Sequence, residues 1–317
     1  MNSPVAVSYL FVPANRPERF DKACAAGADR VIIDLEDAVP VSDKQSAREA
    51  LRAWLSAHHS VAIRINSSDS LWFEDDLALC ALPGVAAIVL PKASTPEEIA
   101  QLVKAGASSV LALIENAQGM ANTALIAASD KVERLMFGSI DFSLDLGIEG
   151  DDRELDYFRS QLVLASRLAG IAAPVDGVTT AMDDEAVLLA DTLRGKRFGF
   201  GGKLCIHPKQ LSTVHAAYRP SAAEIAWAER ILAAALAAQG AAVAVDGKMV
   251  DKPVILKAER LLQQAARTRY STQEHTGAHR STPEHTRAHQ STREHARALK
   301  AVCADAAVDA DVPLHDS

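Results

Sequence analysis

Short apolar runs rich in β-branched residues alternate along this chain with longer stretches in which apolar residues recur at helical spacing. Eight of these runs have the length of a buried strand, and each is followed by enough residues for a helix and two loops. Eight consecutive βα units predict an α/β fold, a closed (β/α)8 TIM barrel, since open doubly wound sheets usually have fewer strands. The predicted strands are Val7 to Val12, Arg30 to Asp34, Val61 to Ile65, Ala86 to Leu90, Ser109 to Ile114, Arg134 to Phe137, Ala172 to Val175 and Lys203 to Ile206.

A different pattern begins after Pro220. Residues 221–238 have helical spacing and start with Ser221, a residue type that caps helix N-termini. Residues 240–253 predict a small hairpin turning at an Asp-Gly pair, and residues 254–266 predict another helix. We therefore divide this part of the chain into a barrel domain, 1–220, and a C-terminal helical segment, 221–266.

The remaining residues, 267–317, lose this periodicity. They contain three ten-residue repeats, STQEHTGAHR, STPEHTRAHQ and STREHARALK, and six of the ten histidines. Histidines four residues apart would share one face of a helix and could bind a divalent ion. The low apolar content instead predicts a disordered, solvated tail in which any metal binding is incidental.

Composition and charge exclude several classes of protein. The 33 Lys and Arg against 41 Asp and Glu leave a net charge of −8, which is unsuited to neutralising the phosphates of a nucleic acid. No uncharged apolar run reaches the ~18 residues of a membrane span. The four cysteines include no CxxC pair and predict neither a zinc site nor a disulfide framework. We expect a cytoplasmic protein with no nucleic-acid or membrane partner.

Charged side chains follow most of the predicted strands. Because the C-terminal ends of barrel strands converge on one face, these residues form the candidate site. Glu115 and Asp141 follow neighbouring strands, and a carboxylate pair with open coordination positions suits Mg²⁺, with Mn²⁺ as the alternative. Taken singly, each carboxylate would more often be a helix cap or an ion-pair partner, but several at strand ends favour a metal, because crowded like charges require a compensating cation. The candidates are Asp34, Glu36, Asp37, Arg64, Asn66, Lys92, Glu115, Asn116, Asp141, Asp176 and His207.

The basic candidates have more than one interpretation. Arg64 either neutralises the acidic cluster or contacts a substrate carboxylate and a developing oxyanion. Lys92 is expected to remain protonated among so many carboxylates, which disfavours a Schiff base. His207, next to Pro208, is expected to hold a loop by hydrogen bonding rather than to act as a general base. The motifs GxxxxGK[ST], GxSxG and HExxH are missing, as is GxGxxG after the first strand, which removes the usual support for ATPase, hydrolase, zincin and Rossmann dehydrogenase functions.

Eight segments resemble, in order, the HpcH/HpaI aldolase superfamily, in the branch of citrate lyase beta subunits, CitE-like proteins and malyl-CoA or citramalyl-CoA lyases. They extend over about residues 8 to 266 and are LFVPANRPERFDKA, VIIDLEDAVPVSDKQSAR, AIRINS, VLPKA, LIENAQG, FGSIDFSLDLG, GKLCIHPKQL and DGKMVDKPVI. The resemblance implies a homotrimeric or hexameric TIM barrel whose C-terminal segment packs on a neighbouring subunit.

The resemblance also implies roles for individual residues. Glu115 and Asp141 would hold Mg²⁺, Arg64 and Glu115 would contact the substrate, and Arg16 and Lys22 would bind coenzyme A. Asp251 matches an aspartate that is supplied to the neighbouring subunit as an acid/base, although its sequence context alone indicates a turn residue. Asp37 is the other acid/base candidate. The residues expected to support this centre are Asp34, Glu36 and Lys92.

The implied reaction is Mg²⁺-dependent carbon-carbon cleavage of a 3-hydroxy-3-carboxyacyl-CoA, such as citramalyl-CoA or malyl-CoA. Its products would be acetyl-CoA or propionyl-CoA and a 2-oxo acid. Three alternatives stay open at this stage. They are a citrate lyase beta subunit that converts citryl-ACP to oxaloacetate and acetyl-ACP, a class II pyruvate aldolase, and a non-catalytic regulator that binds acyl-CoA.

Overall fold

Eight parallel strands close into a barrel in sequence order, with the first strand paired to the eighth. This confirms the predicted (β/α)8 TIM barrel. The computed structural model describes residues 6–150, 153–238 and 243–276. The strands are β1 Ser8–Pro13, β2 Arg30–Asp34, β3 Val61–Arg64, β4 Val85–Leu90, β5 Val110–Ile114, β6 Val132–Phe137, β7 Val175–Asp176 and β8 Gly202–Cys205.

Helices connect successive strands and surround the barrel. Local sequence accounts for several of their ends: Thr95 and Glu98 form a capping box at one N-terminus, and Gly199 ends another helix with φ of 103°. The helices of this unit are α1 Phe20–Cys24, α2 Lys44–Trp54, α3 Phe73–Asp76, α4 Pro96–Lys104, α5 Ala117–Ala121, α6 Thr123–Ala127, α7 Ser139–Leu146, α8 Asp156–Leu168, α9 Glu185–Phe198 and α10 Leu211–Tyr218.

Among the barrel strands, β7 differs most from its prediction. It was expected from Ala172 but comprises only Val175–Asp176. The preceding Pro174 has no N–H to donate to a neighbouring strand. The carbonyl of Ala173 accepts a hydrogen bond from the buried Arg134 side chain, at 2.7 Å from Nε. This segment therefore satisfies its backbone through a side chain instead of through the sheet.

The alternation of side chains along the strands produces two apolar layers. One layer packs between the strands and the surrounding helices, and includes Ile33 and Ile63. The other fills the inside of the barrel, and includes Ile32 and Ala62. Residues two positions after an inward-facing residue face inward as well, so the polar ends of β2 and β3 point into the mouth of the barrel.

The chain divides into two compact units between Tyr218 and Arg219, two residues before the boundary expected from the sequence. In the second unit, helix α11, Ala222–Ala237, begins with a capping box formed by Ser221 and Glu224. Strands β9, Val243–Val245, and β10, Lys248–Val250, form the expected hairpin, with positive φ at both residues of its Asp-Gly turn.

The last described helix, α12, covers Lys252–Thr276 and so continues ten residues past its predicted end. Residues 267–276 contain no Gly or Pro, and Gly277 follows them, so the sequence has no helix breaker before that point. The rest of the predicted tail, 277–317, lies outside the described residues. Among the described helices, none combines the length and apolar content needed to cross a membrane.

Candidate active site

Arg64 and Asp34 form the centre of the polar cluster at the C-terminal ends of the strands. They are the last residues of β3 and β2 and are direct neighbours in the sheet register. Asp34 accepts hydrogen bonds of 2.7 Å from both Nε and Nη2 of Arg64. Its two oxygens also accept from the backbone N–H groups of Glu36 and Ala38. Asp34 thus holds the guanidinium in one plane and orders the loop that follows β2.

The remaining part of the Arg64 guanidinium faces further carboxylates. Nη1 lies 3.2 Å from Oε2 of Glu36 and 3.9 Å from Oδ2 of Asp37, and the ring of Phe11 stacks against the group at 4.7 Å. Burial by itself would lower the pKa of Arg64, but Asp34 and Glu36 outweigh it and raise that pKa. Arg64 is therefore a permanent cation at this end of the barrel.

Glu36 is held between two cations. Its Oε1 accepts a hydrogen bond of 2.8 Å from Nζ of Lys92, and its Oε2 is buried with no hydrogen-bond donor among the described residues, although Nη1 of Arg64 is near. Burial raises the pKa of Glu36, while Arg64 and Lys92 oppose that shift. Burial lowers the pKa of Lys92, but Glu36 outweighs it and raises that pKa overall. Lys92 balances charge here, and an imine-forming amine would require the opposite shift.

Glu115 follows β5 and is almost completely buried. Its Oε1 accepts a hydrogen bond of 2.8 Å from the backbone N–H of Lys92. Its Oε2 packs so closely on Gly138 that a Cβ at that position would collide with it. Burial and the charges of Glu36 and Asp141, opposed by Arg64, raise the pKa of Glu115 to about 8. The carboxylate thus lies among negative charges that the protein alone does not fully neutralise.

Asp141 lies in the first turn of α7 and is half-buried. Its charge is one of the causes that raise the pKa of Glu115. Within the described residues, no group of three or more His, Cys, Asp or Glu side chains is placed to hold a metal ion. Two oxygen ligands beside a negative cluster nevertheless fit Mg²⁺, which keeps several positions for water and substrate oxygens.

A family assignment can be added to this geometry. Residues 7–208 match the family HpcH/HpaI aldolase/citrate lyase. The chain belongs to this family. The resemblance inferred from the eight sequence segments is thereby confirmed.

Relatives of this family member cover most of its length. A citrate lyase subunit beta-like protein of Deinococcus radiodurans is 37% identical over 286 residues, which are 84% of this chain and 100% of the relative. A (3S)-malyl-CoA thioesterase of Cereibacter sphaeroides is 36% identical over 271 residues, which are 81% of this chain and 94% of the relative. The family therefore comprises lyases and enzymes that act on CoA esters.

The same fold occurs in a crystal structure of CitE from Mycobacterium tuberculosis in complex with magnesium, acetoacetate and coenzyme A. The two chains are 38% identical and superpose with a TM-score of 0.74 over 83% of this chain and 99% of that one. The barrel thus has an experimentally determined relative of which nearly the full length is matched.

In this citrate lyase family member, a buried lysine holds together two of the loops that carry the candidate site. Nζ of Lys44 donates hydrogen bonds of 2.7 to 2.8 Å to the carbonyls of Leu35 and Glu36 and to the side chain of Asn66. Asn66 in turn donates to the buried Asp76. Sequence reasoning missed Lys44 because it lies at the start of an amphipathic helix, where a lysine normally points to solvent. It joins the loops after β2 and β3.

Asp176 was a candidate site residue, but the fold places it outside the polar cluster at the barrel mouth. It ends β7, but it faces outward, because its neighbour Val175 faces the barrel interior. Asp176 Oδ1 lies 3.3 Å from Nε of Arg159, and a Cβ at Gly195 in α9 would collide with Oδ2. The residue belongs to a buried ionic cluster between barrel and helices, and its inclusion in the candidate site was wrong.

Two other candidates anchor loops. Nδ1 of His207 accepts a hydrogen bond of 3.1 Å from the backbone of Lys209 and caps the turn Pro208–Gln210, as expected. Asn116 caps α5 by accepting from the backbone of Gly119 at 2.7 Å. Both side chains are used in shaping the rim of the barrel.

The two cations implied for coenzyme A binding lie on the connection after β1. Arg16 precedes the turn Pro17–Arg19 and pairs with Glu18 at 2.8 Å, and Lys22 lies in α1. Both side chains are exposed. They are therefore accessible to a phosphate-bearing ligand at this rim.

Asp251 belongs to the second unit, directly before α12. It is exposed, and its Oδ1 accepts a hydrogen bond of 3.2 Å from the backbone of Val254. This contact caps the helix and agrees with the turn-residue interpretation of its sequence context. One carboxylate oxygen, Oδ2, is not used in that contact.

Proposed function

We propose that this protein is a Mg²⁺-dependent carbon-carbon lyase that cleaves a 3-hydroxy-3-carboxyacyl-CoA, such as citramalyl-CoA or malyl-CoA. The products are acetyl-CoA or propionyl-CoA and a 2-oxo acid. The observation that carries the proposal is the combination, in one barrel mouth, of an arginine oriented by Asp34 with the carboxylates of Glu115 and Asp141. The relative crystallised with magnesium, acetoacetate and coenzyme A supports it.

Glu115 and Asp141 would hold the cation. Bound there, Mg²⁺ supplies Lewis-acid polarisation of the hydroxyl and carboxylate oxygens of the substrate. Arg64 contributes a fixed positive charge, because Asp34 sets the plane of its guanidinium. A charge oriented in advance stabilises a developing oxyanion without reorganisation during the reaction.

The cleavage follows a retro-Claisen course. The bond between the carbinol carbon and the carbon next to the thioester breaks, and its electron pair passes to the thioester as an enolate. The hydroxyl oxygen loses its proton and becomes the oxo group of the 2-oxo acid. Arg64 stabilises the enolate oxygen, and an acid then protonates the enolate carbon. One proton leaves and one is added, so the reaction is balanced.

Asp251 of a neighbouring subunit is our assignment for this acid, in a homotrimer or hexamer. The carboxylate oxygen that does not cap α12 is available for proton transfer. Asp37 is the alternative within the barrel, since it is 58% exposed and 3.9 Å from Arg64. Arg16 and Lys22 bind the phosphates of coenzyme A, since both are exposed cations beside the mouth.

A product assay tests the proposal. Purified protein with Mg²⁺ is offered citramalyl-, malyl- and methylmalyl-CoA, and the products are separated by chromatography. A lyase releases acetyl-CoA or propionyl-CoA with an equal amount of 2-oxo acid. Release of free coenzyme A with an intact hydroxy diacid would instead identify a thioesterase, and binding without turnover would identify a regulator. Activity on citryl-ACP alone, or on free hydroxy-oxo acids, would indicate the remaining alternatives.

The cation ligands are tested in the same assay. Glu115→Gln and Asp141→Asn should abolish turnover and leave the circular dichroism spectrum unchanged, because each removes one anionic ligand and preserves its shape. Wild-type protein should lose activity in EDTA and recover it when Mg²⁺ is restored. Full activity in EDTA would contradict the metal requirement.

A further inference from the structure

Lys92 has an unusual backbone conformation. Its φ is +50°, in the left-handed region that residues other than glycine seldom adopt. Among the described residues, only Lys131 and Asp246 share this feature without being glycine. Asp246 lies in a hairpin turn that requires it, and Lys131 lies before β6 at the opposite end of the barrel. Such strain persists where surrounding contacts hold it, and at active sites it points to a function.

The contacts of Lys92 extend to two other strand ends. Its backbone N–H donates a hydrogen bond of 2.8 Å to Oε1 of Glu115, after β5. Its ammonium donates a hydrogen bond of 2.8 Å to Oε1 of Glu36, after β2. Its carbonyl accepts from Ser94 and from Asn116, which hold the peptide in place. A single residue after β4 therefore contacts two of the buried carboxylates of the site, Glu36 and Glu115.

We propose that Lys92 is a positioning residue with two separable functions. Its left-handed backbone directs the N–H at Oε1 of Glu115, which fixes the orientation of this carboxylate as a ligand for the cation. Its ammonium balances the charge of Glu36, which leaves Arg64 available to the substrate. The proposal rests on the proposed function, because it takes Glu115 as a ligand of Mg²⁺ and Arg64 as a substrate contact.

The first function follows from how metal ligands are oriented. A hydrogen bond to one oxygen of a ligating carboxylate selects its rotamer, and loss of such a partner typically weakens metal binding about 10- to 100-fold. The N–H belongs to the backbone, so any residue that accepts φ of +50° preserves it. Glycine and asparagine accept this conformation, whereas β-branched residues do not.

The second function follows from the position of Glu36. Of the two cations that pair with Glu36, only Arg64, at 3.2 Å from Oε2, would remain without the ammonium of Lys92. The guanidinium would then be drawn toward Glu36 and away from the substrate. Mg²⁺ binding would not weaken, because loss of a cation makes the surrounding cluster more negative.

The two functions are separated by substitutions at one position. Lys92→Gly and Lys92→Asn remove the ammonium and keep the backbone donor. Lys92→Val removes the ammonium and also disfavours the left-handed conformation. Lys92→Ala has the same two effects but introduces a smaller side chain. Lys92→Arg restores a cation. Lys131→Val is the matched control, because it introduces the same strain, at φ of 62°, away from the site.

Calorimetric titration of the EDTA-treated full-length proteins with Mg²⁺ measures the first function without turnover. We expect binding to weaken about 10-fold or more in Lys92→Val and clearly in Lys92→Ala. Lys92→Gly, Lys92→Asn and Lys131→Val should bind as tightly as wild type or more tightly. In steady-state assays, Lys92→Gly should lose roughly 10-fold in kcat/KM, and Lys92→Arg should retain most of it.

Specific results would overturn the proposal. Unchanged Mg²⁺ affinity in both Lys92→Val and Lys92→Ala, or equal weakening in Lys131→Val, would show that the backbone conformation does not position Glu115. If Lys92→Gly weakened Mg²⁺ binding as much as Lys92→Val does, the backbone conformation would likewise be shown not to position Glu115. Wild-type kcat/KM in Lys92→Gly would remove the role of the ammonium. A wild-type protein that binds no Mg²⁺ would instead contradict the proposed function itself.

Discussion

Asp34 and Arg64 lie side by side at the ends of adjacent strands, joined by two hydrogen bonds of 2.7 Å. Asp34 is buried and Arg64 nearly so, with 1% and 12% of their side chains exposed. The pair unites the two roles that sequence reasoning kept apart for Arg64. The carboxylate that balances the charge of Arg64 also sets the plane of its guanidinium, so neutralisation of the cluster is compatible with the proposed contact to a substrate.

Breaking this pair should cost both stability and activity. Asp34→Ala removes two hydrogen bonds from a buried guanidinium, which then keeps only Glu36 and Asp37 as neighbouring carboxylates, so we expect a loss of about 3 kcal/mol in the free energy of unfolding. A fall in kcat/KM of about 100-fold or more should accompany it, because the orientation of Arg64 is lost. Urea denaturation and steady-state kinetics measure the two effects. Asp75→Ala, which removes an exposed partner of Arg48, is the control and should change neither appreciably.

The stability of the metal-free protein should depend on pH through Glu115. Its pKa is about 8 in the folded protein, against 4.5 in the unfolded chain, so between these values the folded state binds the additional proton. The free energy of unfolding should therefore fall as pH rises through this window. Denaturation in EDTA at a series of pH values checks this. Glu115→Gln should flatten the dependence, and an equal slope in that variant would contradict the assignment.

Stabilisation by Mg²⁺ should have the opposite pH dependence. The cation binds the ionised carboxylate, so protons compete with it below a pH of about 8. The increase in Tm on adding Mg²⁺ should grow with pH across the same window. An increase independent of pH would show that the cation binds without displacing this proton.

Mixed oligomers test whether the active site is shared. Arg64→Ala and Asp251→Ala proteins should each be nearly inactive, and subunit exchange between them should restore part of the activity, since some interfaces then pair an intact barrel with an intact Asp251. A mixture of Arg64→Ala and Glu115→Gln proteins is the control. Every barrel in it carries one of the two substitutions, so no complete site can form and the mixture should stay inactive. If exchange is demonstrated by mass spectrometry and no activity returns, Asp251 is not contributed across subunits.

Removal of most of the repeat segment should leave activity and stability unchanged. A chain that ends after Thr276 retains all described helices and lacks residues 277–317, whose low apolar content leaves little surface to bury. We expect kcat/KM and Tm to equal those of the full chain. A chain that ends after Tyr218, and so lacks Asp251, should be inactive. A large drop in Tm for the first truncation would show that the repeats pack on the protein.

Local pattern was sufficient for the architecture and for the choice of the main candidate residues. Strand β2 has the bounds expected from the sequence, Arg30–Asp34, because its apolar run is short, β-branched and closed by a charge. The same reasoning selected Arg64, Glu115 and Asp141 as candidates, since strand ends in a closed barrel meet on one face. These inferences depend only on residues close together in the chain.

The orientation of side chains depended on contacts distant in sequence. Asp34 and Asp176 both end a strand, yet one faces the barrel mouth and the other faces α9. Which face a residue takes depends on the register of its strand, and in β7 the residue that pairs with Met136 and faces the interior is Val175, so Asp176 faces outward. A shift of one residue reverses the face.

The sequence by itself determined the number and order of the strands, the acidic character of the barrel mouth and the family. Each of these features depends on local periodicity or on short motifs, which can be recognised without the tertiary structure. Only the tertiary structure decided how those charges are partnered. The left-handed backbone of Lys92 and the burial of Lys44 arise from contacts with residues 8 to 56 positions away. Hydrogen bonds of this kind form only after the strands are assembled, so no local pattern encodes them.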